Sequence, residues 1–358
     1  MGKVLMKGNE AFAEAAIRAG CNCYFGYPIT PQNEIPEYMS HELKKAGGAF
    51  IQAESELAAI SMAFGAAASG GRVFISTSSP GLALMQEGLG FMCSAETPVV
   101  VLNVSRGGPG VGGIQPGQAD YTQVTRGGYN GDAKIPVFAP AGIQECVDTI
   151  CECFDIADRY RNPVVILADG MMGQMMEPVV LPEARGITPE DKINSVKPWA
   201  ITGTGHHEGR NVVYSLRMEP DVLEKHVEHL FDKYAEAERE LVRYKTLGLE
   251  EAEIVFVAFG TMARLCAEAC ELLEGRGVKA GLIRPISLWP FPDRAFDELG
   301  DKTKIVISTE LSMGQMLPDV KAAVRGRFPV GLINRTGGIV PSSLEIVERA
   351  LKLLEDVK

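Results

Sequence analysis

Short apolar runs recur through the first 180 residues, with one helix-length segment between successive members of the first five. This alternation constrains the fold more than any other feature of the chain. The runs are residues 4–6, 23–25, 50–52, 72–76, 98–104 and 164–168. Helical patterns lie between them: 9–19, with Asn9 as the expected cap, then 32–45, 55–69, 81–93 and 144–160. The unbroken apolar run at 98–104 is the pattern of a strand buried on both faces. Strict strand–helix alternation predicts a mainly parallel sheet with helices on both sides. Open sheets of this kind take their ligands at the carboxyl ends of the strands.

Between 181 and 250 the alternation breaks. Residues 203–209 read as a Gly/His-rich loop containing His206 and His207, and 220–245 as a charged helical arm lying over another surface. The alternation returns at 251, with strands expected at 254–259, 279–283, 304–308 and 330–333. Arg284-Pro285-Ile286-Ser287-Leu288-Trp289-Pro290-Phe291-Pro292 reads as a rigid apolar connection between elements of this second region. The chain is therefore expected to form two doubly wound α/β domains, 1–180 and 251–358, joined by an arm at 181–250.

With 46% hydrophobic and 23% charged residues over 358 positions, the chain has room for two ordinary globular cores. A net charge of −11 argues against a nucleic-acid partner, because phosphate binding needs a basic face. No apolar run reaches the length of a membrane span, and the N-terminal stretch lacks the apolar core of a signal peptide, so a cytoplasmic protein is expected. The eight cysteines form no C-x2-C half-site; Cys21/Cys23 and Cys151/Cys153 are C-x-C pairs. They are expected to be buried thiols in a reducing compartment, with no metal or cluster held by this chain.

Four polar clusters fall at strand ends. In Tyr27-Pro28-Ile29-Thr30-Pro31, two prolines stiffen the loop after the second strand. Thr30 there is open to two readings, a ligand contact or a cap for a helix that starts with Pro31. In Gln52-Ala53-Glu54-Ser55-Glu56-Leu57-Ala58-Ala59, Ser55 can cap and Glu54 suits the helix dipole. Glu56, just inside an Ala-lined helix, has no evident surface role. In Ser76-Thr77-Ser78-Ser79-Pro80-Gly81, the hydroxyls either cap a helix or serve as donors at its N-terminus. Arg106 follows the most apolar strand, where its guanidinium suits a planar carboxylate or a structural ion pair. The glycines from Gly107 to Gly113 are expected to form a mobile loop. They are not a phosphate cradle, because no Gly-Lys-Ser/Thr follows. A threonine, a glutamate, hydroxyl donors and an arginine at one sheet edge suggest a small carboxylic acid and a cofactor.

These residues resemble the 2-oxoacid:ferredoxin oxidoreductases, specifically the subunit that joins a thiamine-pyrimidine-binding domain to a transketolase C-terminal-like domain. Tyr27-Pro28-Ile29-Thr30-Pro31, Ser55-Glu56-Leu57-Ala58-Ala59 and the segment from Arg284 to Pro292 carry the likeness, which spans nearly the whole chain. The resemblance implies that Glu56 hydrogen-bonds the pyrimidine ring nitrogen of thiamine diphosphate, as a buried carboxylate that tunes the cofactor. It implies that Tyr27, Pro28, Ile29 and Ser78 belong to the cofactor pocket, and that Thr30 and Arg106 hold the 2-oxoacid. Carbon dioxide would leave, two electrons would pass singly to [4Fe-4S] clusters, and coenzyme A would take the acyl group.

The Gly-Asp-Gly motif through which thiamine enzymes hold diphosphate and Mg2+ is absent; Gly131-Asp132-Ala133 and Asp169-Gly170 are partial echoes. A second subunit is therefore expected to carry diphosphate, Mg2+ and a cluster, with a gamma-type subunit and a ferredoxin-like subunit completing the complex. The acidic chain is a poor dock for an acidic ferredoxin. The Gly-rich segment 106–121 resembles the 2-oxoisovalerate (branched-chain) type, since it offers room, apolar surface and no second cation. Substrate alternatives are 2-oxoglutarate and pyruvate. Readings of other classes are a transketolase or decarboxylase that works alone, and a non-catalytic scaffold subunit.

Overall fold

The computed structural model describes residues 2–187, 197–203 and 210–357. The N-terminal half contains β1 (Val4–Lys7), α1 (Gly8–Arg18), β2 (Cys23–Gly26), α2 (Glu34–Lys45), β3 (Ala49–Gln52), α3 (Glu56–Ala68), β4 (Val73–Thr77) and α4 (Ser79–Ser94). It continues through β5 (Val99–Ser105), α5 (Tyr121–Thr125), β6 (Val137–Phe138), α6 (Ile143–Tyr160), β7 (Pro163–Asp169), α7 (Gly170–Gln174) and β8 (Met176–Val179). The remaining strands are β9 (Tyr244–Leu247), β10 (Ile254–Val257), β11 (Ala280–Pro285), β12 (Ser287–Trp289), β13 (Ile305–Glu310) and β14 (Val330–Asn334).

Two sheets organise the chain, ordered β12-β6-β7-β5-β4-β2-β3 and β14-β13-β10-β11-β9. All seven residues of β5 are buried, as a strand covered on both faces requires, its two polar members Asn103 and Ser105 included. Alternate side chains of this strand enter different cores. Val99 and Val101 pack with Ile60, Leu82 and Met85 on one face, while Val100, Leu102 and Val104 pack with Phe12, Tyr24 and Phe74 on the other. The first core runs on without a break into Val255, Phe259, Ile283, Phe296 and Val306 of the second sheet. The two halves thus share apolar packing, which fixes their relative placement.

The sheets also exchange strands across the expected boundaries. β9, inside the segment read as an arm, is the antiparallel edge of the second sheet, against β11. β12, inside the segment read as a connection, pairs antiparallel with β6 of the first sheet. Alternation alone does not reveal these short strands. The arm helix, Pro220–Glu240, does lie over another surface. His226 Nε2 meets the Ser94 carbonyl at 2.8 Å, Lys233 reaches Glu96 at 3.2 Å, and Tyr234 packs edge-on to Trp289. His206 and His207 fall outside the described residues. All eight cysteines are free thiols, and burial pushes even the half-buried Cys23 and Cys151 up to about 11. No described helix is long and apolar enough to cross a membrane.

Several ionic contacts fasten the halves, and the least exposed centres on Glu145. Arg284 donates to both oxygens of Glu145, at 2.6 and 2.7 Å, joining β11 to α6. Burial pushes the Glu145 carboxyl up, but hydrogen bonds from Arg284 and the Ala141 N–H outweigh this and hold it at about 2. A depressed carboxyl stabilises the fold above its unfolded value of about 4.3, and the contribution is lost as pH falls through the folded value. The thermal midpoint should therefore decline between about pH 5 and pH 2. An Arg284→Met variant should start lower at neutral pH and decline less over that window. Parallel acid profiles for the two proteins would remove the ion pair from this role.

Candidate functional site

The loop after β2 is held by side chains from three other elements, α1, α7 and β4. The Pro31 carbonyl accepts from Asn9 Nδ2 at 2.8 Å and from Gln174 Nε2 at 2.9 Å. Ser76 donates to Gln32 Oε1 at 2.5 Å, which leaves Tyr24 as the donor to Ser76 at 2.8 Å. The prolines alone do not fix this loop; a set of amides and hydroxyls does, all buried except Gln174. Asn9 is consequently no helix cap, because α1 begins at Gly8 and the Asn9 side chain reaches across to Pro31 and Glu34. Nor does Thr30 cap a helix: α2 begins at Glu34 behind Asn33, and Asn33 Nδ2 donates to Thr30 Oγ1 at 3.2 Å. Of the two readings of Thr30, the helix-cap reading is removed. Tyr27 and Pro28 stand exposed, and Ile29 and Thr30 half-buried.

Arg106 joins this loop directly. Its Nη1 donates to the Thr30 carbonyl at 2.7 Å and its Nη2 to the Val111 carbonyl at 2.9 Å. Its Nε is buried without a partner. No carboxylate among the described residues pairs with this guanidinium, so the structural ion pair is removed as well. The following glycine loop is closed on itself, with the Gly113 N–H on the Gly107 carbonyl at 2.8 Å and the Gly107 N–H on the Gln115 carbonyl at 2.8 Å. A Cβ on Gly112 would stand 2.0 Å from the Gly107 carbonyl oxygen, so the loop expected to be mobile is a tight turn that only glycine can make.

Glu56 is the first residue of α3, whose cap is Ser55, with the Ala58 N–H on Ser55 Oγ at 3.1 Å. Residue Glu56 as a whole is 5% exposed, and no side chain or N–H among the described residues bonds to its carboxylate. A buried carboxylate without a partner is costly, so its presence points to a group supplied from outside. Its neighbours repeat the signal. Thr77 Oγ1 and Ser78 Oγ are buried and unpartnered. Ser78 occupies the cap position of α4, yet its hydroxyl caps nothing. Gly81 completes the arrangement: a Cβ there would lie 2.2 Å from Thr77 Oγ1 and 2.5 Å from Glu56 Oε1. The first turn of α4 links the two clusters, since Gly81 faces Glu56 while Ser79 Oγ accepts from the Arg106 N–H at 3.0 Å.

A cleft of about 580 Å3 opens on the Thr30 side of the edge, bounded by Pro31, Glu34, Ile114, Pro116, Met171 and Met175 among others. Glu56, Ser78 and Arg106 do not line it. Its only titratable residue is Glu34. Burial raises that carboxyl, but hydrogen bonds from Lys7, the backbone, Asn9 and Gln174 bring it below its ordinary value. The cleft wall therefore mixes apolar side chains with the polar Thr30, Asn33, Gln115 and Gln174, and its one carboxylate, Glu34, is paired with Lys7. Asp169, one of the partial Gly-Asp-Gly echoes, caps α7 through the Met171 and Met172 N–H groups, and burial raises its pKa.

Sequence reasoning missed Gln32, Gln174 and Asp120 and read Asn9 only as a cap; all four shape this edge through contacts between distant segments. The only available signal was the density of polar residues beside prolines and glycines.

Residues 14–245 match the family described as pyruvate flavodoxin/ferredoxin oxidoreductase, thiamine diphosphate-binding, and residues 252–346 match pyruvate:ferredoxin oxidoreductase core domain II. The chain is 44% identical over 338 residues to the ketoisovalerate oxidoreductase subunit VorB of Methanothermobacter marburgensis, covering 94% of each protein. It is 36% identical to the 2-oxoglutarate synthase subunit KorA of Methanocaldococcus jannaschii, covering 95% of this chain and 97% of that one. Among solved structures it is similar to the 2-oxoglutarate:ferredoxin oxidoreductase from Magnetococcus marinus with 2-oxoglutarate, coenzyme A and succinyl-CoA bound. That match has a TM-score of 0.87 at 26% identity and covers 99% of this chain and 65% of that one. With its two matched domains, its fold and its relatives in agreement, the chain belongs to the 2-oxoacid:ferredoxin oxidoreductases, as a subunit of a multisubunit enzyme.

Proposed function

We propose that this chain supplies the pyrimidine-side half of the active site of a branched-chain 2-oxoacid:ferredoxin oxidoreductase. The observation that carries the reading is the unpartnered, buried Glu56 carboxylate beside the orphaned hydroxyls of Thr77 and Ser78. The donor set fits thiamine diphosphate, whose aminopyrimidine offers a ring nitrogen to a carboxylate and an exocyclic amine to hydroxyl oxygens. When bound, the cofactor supplies a carbanion centre and an electron sink for decarboxylation. Glu56 shares a proton with the pyrimidine ring nitrogen. Tyr27, Pro28, Ile29 and Ser78 shape the pocket around the ring. Arg106 keeps three N–H donors free after its two carbonyl bonds, and these, with the Thr30 hydroxyl, hold and orient the 2-oxoacid carboxylate and carbonyl.

The diphosphate, Mg2+ and [4Fe-4S] clusters are assigned to a partner subunit, alongside a gamma-type and a ferredoxin-like subunit, with coenzyme A as co-substrate. The free thiols suit a reducing cytoplasm. The cleft beside Thr30 favours a branched aliphatic side chain, because a second carboxylate would meet Glu34 and find Lys7 already paired with it. The name of the VorB relative points the same way.

The test is co-purification with the partner subunits, followed by a 2-oxoacid panel with coenzyme A and a viologen dye. The expected kcat/KM for 2-oxoisovalerate exceeds that for 2-oxoglutarate by about tenfold or more. Viologen reduction with 2-oxoglutarate alone would overturn the substrate assignment.

A further inference from the structure

We infer that Asp120 is a positioning residue for Arg106, acting through the hydroxyl of Ser79. The inference rests on Arg106 as the carboxylate-binding group proposed above.

Asp120 is buried, and no cationic side chain among the described residues pairs with it. One of its oxygens, Oδ2, takes three donors: Ser79 Oγ at 2.6 Å, Asn103 Nδ2 at 2.8 Å and Ser105 Oγ at 2.7 Å. Two come from the end of β5 immediately before Arg106, and the third from the first residue of α4. The carboxylate therefore ties together the two elements that meet at the site.

The proton on Ser79 can be placed. A hydroxyl has one hydrogen, and Ser79 Oγ lies 2.6 Å from Asp120 Oδ2 but 3.3 Å from the Arg106 carbonyl. It donates to Asp120, and its lone pair accepts from the Arg106 N–H at 3.0 Å. The result is a directed chain, Arg106 N–H to Ser79 Oγ–H to Asp120. The anion at its end strengthens each link. Without that anion the Ser79 proton is free to rotate onto the Arg106 carbonyl, and Asn103 and Ser105 lose a buried acceptor. The main chain of Arg106 would lose its clamp, while its side chain must still reach Thr30 and Val111. A guanidinium that binds a planar carboxylate tolerates little displacement.

The experiment is a double-mutant cycle in the assembled enzyme, read as the KM for the 2-oxoacid. Asp120→Ala and Ser79→Ala should each raise KM about tenfold, the effect of weakening one charge-assisted contact. In an Arg106→Ala background the same substitutions should change KM by less than about twofold, because the group they position is gone. Asp120→Asn keeps an acceptor oxygen for the three donors and should hold KM within about threefold of the parent. A rise in KM that is equal in both backgrounds, or no rise with either substitution, overturns the inference. If Asp120→Ala fails to assemble, the Ser79→Ala cycle decides by the same ratio. If Arg106→Ala itself leaves KM unchanged, the role of Arg106 is at fault, a result distinct from a failed cycle.

Discussion

In the assembled enzyme, Glu56→Gln should lower kcat about 100- to 10,000-fold, the range expected when a positioned proton-transfer group is removed. The substitution changes almost no volume, so packing against Gly81 and Thr77 is kept and assembly should be unaffected. What is lost is the negative charge that stabilises a proton on the pyrimidine nitrogen. Glutamine could donate its amide hydrogen there, which favours the wrong tautomer. Steady-state viologen reduction gives kcat, and deuterium exchange at the thiazolium carbon gives the proton-removal step alone. Both should fall together. Half or more of the parent activity in Glu56→Gln would favour the scaffold-subunit reading.

The second large effect is expected at Gly81, a residue with no chemistry of its own. Gly81→Ala places a methyl group 2.2 Å from Thr77 Oγ1 and 2.5 Å from Glu56 Oε1, distances that no relaxed contact shows. The first turn of α4 cannot simply retreat. The Gly81 N–H is bonded to the Ser78 carbonyl at 2.7 Å, and Ser79 is tied to both Asp120 and Arg106. Overpacking of this kind costs about 1–3 kcal/mol. For a unit of this size that corresponds to a fall in thermal midpoint of several degrees, at about 2–4 °C per kcal/mol. The displaced atom is the carboxylate itself, so kcat should fall about as far as in Glu56→Gln. A variant that loses stability but keeps kcat would show that Glu56 works from a different rotamer.

The fold was legible because β2, β3, β4, β5 and β7 of the first sheet each carry an apolar run beside a helical pattern. β5 reads as buried on both faces, and it is. The strands that were not legible are β6, β8, β9 and β12, two to four residues long, each set by pairing with a segment distant in sequence. Their placement follows from long-range packing, such as the bond between Arg243 N–H and Ser287 Oγ and the edge-on packing of Tyr234 against Trp289. The site shows the same division. Thr30, Glu56, Ser78 and Arg106 were visible because each is polar at the end of an apolar run, and the structure puts them along one sheet edge. It joins Arg106 to the Thr30 carbonyl and places Glu56 beside the turn that begins with Ser78. Asn9, Gln174 and Asp120 were hidden because they act across 15 to 143 positions of sequence. Asn9 even mimicked a helix cap, a role its residue type suits and its partners preclude.

The central claim is that Glu56 and its neighbours are one half of a divided site. Calorimetric titration of thiamine diphosphate with Mg2+ tests this most directly, performed on the chain alone and on the complex with its partner subunits. Micromolar or tighter binding is expected only in the complex, because the isolated chain lacks a Gly-Asp-Gly motif to hold the diphosphate. Micromolar binding to the isolated chain would contradict a divided site.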